Sequence, residues 1–97
     1  MDKKIKSVID FNKAFTIIKN NKPTLIPEHE HRLKYNLMLE ELNEYKTACK
    51  ENNLLEVCDA IVDLLYVLNG MVVAHGVQDI IEEMYDEVHR SNMSKLE

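Results

Sequence analysis

Tryptophan is absent, and glycine, proline and cysteine occur only twice each in 97 residues. So few Gly and Pro exclude the turn-dense sandwiches and barrels, whose short strands need frequent chain reversals. Two cysteines, Cys49 and Cys58, are too few to staple a small secreted domain and suit a reducing compartment. There is no excess of positive charge. Twelve Lys and Arg against 17 Asp and Glu leave a formal charge of −5, the opposite of a DNA-binding footprint. The N-terminal MDKKIKSVIDF lacks the long apolar stretch of a secretory signal. What the chain does have is apolar content, 45 % of its residues, too much for a disordered segment. The one membrane suspect, Leu54 to Ala74, carries Glu56, Asp59 and Asp63, and each acid at mid-bilayer costs roughly 2.5–3.5 kcal/mol. We therefore expect a single cytoplasmic domain over residues 1–97, with neither nucleic acid nor membrane as partner.

Hydrophobic periodicity predicts four helices and no strand. Ile5, Val8, Ile9, Ala14, Phe15 and Ile18 mark the first, over residues 3–19, and Pro23 and Pro27 bracket a linker. The second spans Glu28 to Lys50, with Tyr35, Met38, Leu42, Tyr45 and Cys49 as its stripe. Asn52-Asn53 turns the chain into the third, Leu54 to His75, which is apolar almost all round and so belongs at the centre of a bundle or an oligomer. Gly76 fits its C′ position. The fourth is expected from Gln78 to Asn92, with Asp79, Glu82 and Glu83 in its first turns. The fold class is all-α: a four-helix, bundle-forming domain that oligomerises through its central apolar helix.

Two groups of acids do not fit a solvated face. Glu56, Asp59 and Asp63 fall within about a 60° arc of the third helix, and Ala60, Val67, Gly70 and Ala74 continue that arc. No Lys or Arg occurs from Glu51 to Val88, whereas nine acids do, so these carboxylates lack a cation on their own helix or the next. On the second helix, Glu41 and Glu44 lie about 60° apart, with Leu37 and Ala48 between them and Leu33 alongside. Glu40 points further round. A short turn packs the two helices antiparallel, so both sets can converge. Converging unpaired anions cost many kcal/mol, and a hard divalent cation with oxygen ligands removes that cost. The competing reading is that the acids pair with Lys34, Lys46 or Lys50, or face water. Asp63 stays open as a ligand, an acceptor behind the ligands or a helix-packing polar group.

The run Glu40-Glu41-Leu42-Asn43-Glu44 followed by Glu56-Val57-Cys58-Asp59 resembles the EExxE…ExxD signature of the MazG-like all-α NTP pyrophosphohydrolases. Phe11-Asn12-Lys13-Ala14-Phe15 is similar to their FHxAF segment, with Asn12 where His is usual. DAIVDLLYVLNGMVVAHG, Asp59 to Gly76, resembles their third helix, and EVHRSNMSKL, Glu87 to Leu96, the C-terminal segment of the phosphoribosyl-ATP-pyrophosphohydrolase-like branch. The resemblance implies an Mg²⁺-dependent enzyme that cleaves a nucleoside triphosphate between its α and β phosphates, releasing monophosphate and pyrophosphate. It implies Glu41, Glu44, Glu56 and Asp59 as metal ligands. Glu40 is implied to orient or deprotonate the attacking water, with Glu41 or Glu44 as substitutes, and Arg90, Asn92 and Lys95 are implied to contact phosphate. It further implies a homodimer or homotetramer. Asn12, Asn36 and Asn69 are candidates to bond the base. A non-catalytic oligomeric helical module, regulatory or interacting, is the alternative function.

Overall fold

The computed structural model describes residues 3–14 and 22–96, with side chains for 3–11 and 22–96. Four helices follow one another: α1 (Lys3–Ala14), α2 (Glu28–Lys50), α3 (Leu54–Ala74) and α4 (Ile81–Ser94). No strand occurs among the described residues. Phe15 and Ile18, expected on the first helix, lie outside them.

α2 and α3 form an antiparallel hairpin, and the turn between them shows why the helix stops where it does. Asn52 adopts φ 55°, a conformation that asparagine tolerates better than most residues. Its N–H donates to the Cys49 carbonyl at 3.1 Å, and the Asn53 N–H donates to the Ala48 carbonyl at 3.0 Å. This is a Schellman closure, and it satisfies carbonyls that the helix end would leave unpaired. Asn53 then caps α3, its side chain accepting from the Glu56 N–H at 3.2 Å. α3 ends by the same device: Gly76 has φ 65°, and the Gly76 and Val77 N–H groups donate to Val73 and Val72 at 3.1 Å each.

α1 packs on the C-terminal half of α3. Ile5, Val8 and Ile9 join Val72 and Val73 in the core, and Val77 and Ile81 pack against that group. Further along α1, Phe11 meets Tyr66 edge to face, centroids 5.9 Å apart at 88°. The linker before α2 is pinned to the end of α3. The Thr24 N–H donates to the His75 carbonyl at 2.9 Å, and the His75 ring Nδ1 meets the Thr24 carbonyl at 3.0 Å. Ile26 in this linker is buried.

Two expectations change. The fourth helix begins at Ile81 rather than Gln78 and extends to Ser94. Residues 78–80 form a turn in which the Ile80 and Ile81 N–H groups both donate to the Val77 carbonyl, so Asp79 precedes the helix. Beyond Ile81 every described α4 residue is exposed, so within one chain α4 is not a bundle member. α3 is long and apolar enough to cross a membrane by length and composition. Instead of being enclosed on all sides, it buries only Ala60, Val72 and Val73 in the single chain, while Asp63 lies beside Glu41 and Glu44 of α2.

Candidate active site

The hairpin register brings the acids together. Glu41 on α2 and Asp63 on α3 fall into one cluster with Glu44, a ligand oxygen of each lying within 4.8 Å of the others. Seven residues away on each helix, the Lys34 ammonium lies 3.8 Å from where a Cβ on Gly70 would stand. Both pairs obey a single antiparallel pairing, 41 with 63 and 34 with 70, because seven residues are almost two full turns. Gly70 therefore leaves room for a lysine side chain. Lys34 is held two turns from the acids and does not neutralise them.

Glu41 is the member drawn inward. It is half-buried, and its Oε2 is buried without a hydrogen-bond partner. Burial first, then a hydrogen bond with Glu44, then the charges of Asp63, Glu44 and Glu40 push its carboxyl up to about 7. The ion pairs His29–Glu30, Arg32–Glu28 and Arg90–Glu87 lie elsewhere, and none reaches this cluster. The pairing with Lys34, Lys46 or Lys50 weighed in the sequence is not formed.

Next to the cluster lies an open cleft of about 770 Å³. Glu40, Asn43, Glu44, Thr47, Ala48 and Glu51 line it from α2 and its end, and Asn53, Glu56 and Asp59 from the start of α3. Glu44 thus belongs to both the cluster and the cleft. Of the residues singled out in the sequence, the structure gathers Glu41 and Glu44 tightly and sets Glu40, Glu56 and Asp59 around the adjoining cleft. Asp63, left open in the sequence, takes the place beside Glu41 because it is the α3 residue level with it. Glu56 and Asp59 lie nearer the turn and are exposed. Sequence reasoning missed Asn43, Thr47 and Glu51. The signal was present: Glu40, Glu44, Thr47 and Glu51 recur at i, i+4, i+7 and i+11, one ridge of a helix.

Arg90, Asn92 and Lys95 are elsewhere. They are exposed on and just after α4, and none lines the cleft. The Arg90 guanidinium is engaged by the Glu87 carboxylate, and Lys95 Nζ donates to Asn92 Oδ1 at 3.3 Å. Asn69 is tied to its own helix, its Nδ2 donating to the Leu65 carbonyl at 2.9 Å. Asn36 is exposed, and the Asn12 side chain lies outside the described residues.

The residues fit a divalent cation. Three carboxylates within one coordination sphere, one of them with a buried unpartnered oxygen and no compensating ammonium, are the hard oxygen donors such an ion takes.

The sequence profile of phosphoribosyl-ATP pyrophosphohydrolases matches residues 8–92. The chain belongs to this family. That is the MazG-like all-α branch. The chain is also similar to a curated viral protein, "Uncharacterized protein L479" of Acanthamoeba polyphaga mimivirus, 44 % identical over 46 residues. That match covers 47 % of this chain and 18 % of the viral protein, so the chain spans a small part of that relative.

Proposed function

We propose that this phosphoribosyl-ATP pyrophosphohydrolase family member is an Mg²⁺-dependent nucleoside triphosphate pyrophosphohydrolase, cleaving between the α and β phosphates to give monophosphate and pyrophosphate. The observation that carries the reading is the Glu41–Glu44–Asp63 cluster with its buried, unpartnered Glu41 oxygen. Those three side chains would hold the cation, with Glu56 and Asp59 on the α3 wall of the adjoining cleft. When bound, such an ion polarises phosphoryl oxygens and lowers the pKa of water. Glu40, exposed on the cleft beside Glu44, accepts the proton of the attacking water. No nucleophilic side chain is required.

A triphosphate needs more positive charge than the cleft walls carry, since no Lys or Arg lines them. Arg90 and Lys95 supply it from a second copy, with Asn92 adding a neutral amide donor, because α4 stands away from its own acids. Homo-oligomerisation covers the remaining apolar face of α3. A reducing cytoplasmic setting belongs to the same reading, with Cys49 and Cys58 exposed and unbridged.

The test is a panel of NTPs and dNTPs with Mg²⁺ and resolution of the products. We expect monophosphate and pyrophosphate, at a rate lowered at least about a hundredfold by Glu41→Gln or Glu56→Gln, the scale of losing an electrostatic group. No turnover on any nucleotide, together with an Mg²⁺-insensitive melting temperature, would leave only the non-catalytic helical module.

A further inference from the structure

Beyond the acid cluster the hairpin carries exposed apolar side chains that the proposed function does not use. Tyr66 lies on α3 about 20° round the wheel from Asp59 and about 60° from Asp63, one turn or about 4.5 Å beyond the latter. It therefore faces the same side as the acids. The pairing of 41 with 63 puts Met38 level with Tyr66, so Leu37 lies at the same height on α2. Leu37 points between Glu41 and Glu44 on that wheel. Tyr66 is fixed by the edge-to-face contact with Phe11. Yet Phe11 and Tyr66 are each 42 % exposed and Leu37 is 39 % exposed. An aromatic ring held in place by a second ring, but left open to water beside an anionic cluster, is a preformed stacking surface.

We propose that Tyr66, braced by Phe11, is the surface on which the nucleobase of the substrate stacks, with Leu37 as the opposite wall. The inference rests on the pyrophosphohydrolase reading and extends it to the uncharged half of the ligand. The chemistry matches in order along the hairpin. Carboxylates and their cation take the phosphate end, and one turn away an apolar, aromatic wall takes a flat ring. In a nucleotide these two parts are separated by one sugar. Stacking uses the π-face that every base has, so this wall supplies affinity for a base in preference to none.

The experiment titrates AMP, CMP, GMP and UMP, and ribose 5-phosphate as the base-free control, into the full chain with Mg²⁺. Aromatic NMR signals of Phe11 and Tyr66 are followed, and NTP hydrolysis is measured alongside. We expect at least one monophosphate to shift both rings while ribose 5-phosphate does not. Tyr66→Leu, which keeps bulk but removes the π-face, weakens that monophosphate about tenfold and raises KM with little change in kcat. Tyr66→Phe restores both, and the Mg²⁺-induced rise in melting temperature is the same in all variants. The inference is overturned if ribose 5-phosphate binds as tightly as the best monophosphate, or if Tyr66→Leu leaves affinity and KM unchanged. It is overturned equally if Tyr66→Leu alters the oligomeric mass, which would make the ring a subunit contact. In each of these cases hydrolysis by the unmodified chain leaves the pyrophosphohydrolase reading standing. If the unmodified chain neither cleaves nor binds any nucleotide, both fall.

Discussion

Glu41 shows how a single side chain records the demand of its surroundings. Its carboxyl titrates near 7 in the folded chain against 4.5 in an ordinary setting, because burial and three neighbouring acids oppose its charge. Between those values the folded chain holds a proton that the unfolded chain has released. Metal-free stability therefore falls as pH rises from about 4.5 to about 7 and levels off above. Calorimetry should show a higher melting temperature at pH 5 than at pH 8, and Glu41→Gln should flatten that slope. Added Mg²⁺ should raise the melting temperature more at pH 8 than at pH 5, because the proton and the cation compete for one carboxylate. The sequence made Glu41 and Glu44 visible as acids set into an apolar face. It did not distinguish Asp63 from Glu56 and Asp59, since all three share one arc of α3. That distinction depends on the axial register of two helices, which a wheel does not contain.

At the scale of elements, α2 and α3 were legible to within a residue, and the reason is chemical. Their ends carry residues that accept a left-handed conformation, Asn52 and Gly76, followed by the donors that close each helix. The start of α4 was not legible. Asp79, Glu82 and Glu83 suit a first turn wherever it begins, and the delay to Ile81 comes from hydrogen bonds to the Val77 carbonyl that the periodicity does not register. Gly70 offers a test of the hairpin. A Cβ there would meet only Lys34 Nζ, at 3.8 Å, an ordinary contact with the far end of a flexible side chain. Gly70→Ala should therefore stabilise the protein by about 0.5–1 kcal/mol, the backbone entropy that glycine costs inside a helix. Denaturant unfolding measures it, and destabilisation would mean that α2 and α3 approach more closely than this register allows.

The whole molecule is more open than its mass requires. It exposes 7800 Å², whereas a compact monomer of this mass exposes about 5,700 Å². Its radius of gyration is 15.4 Å, against about 12.5 Å for a compact chain of this length. The cause is apolar surface left without a cover: Leu65 and Leu68 on α3 and Met84, Tyr85 and Val88 on α4 all face water in the single chain. Light scattering should report a dimer or tetramer, and Leu68→Glu should shift it toward the monomer. A monomer at all concentrations would refute the assembly. The apolar surround of α3 was plain in the sequence, but periodicity does not say whether the same chain or another covers it. The standing-off of α4 has a consequence for the cell. Mass action couples folding to abundance when a chain stabilises itself by meeting its twin. Under the assembly proposed above, the chain would carry a built-in threshold, idle while scarce and active once synthesis has made enough copies to find one another.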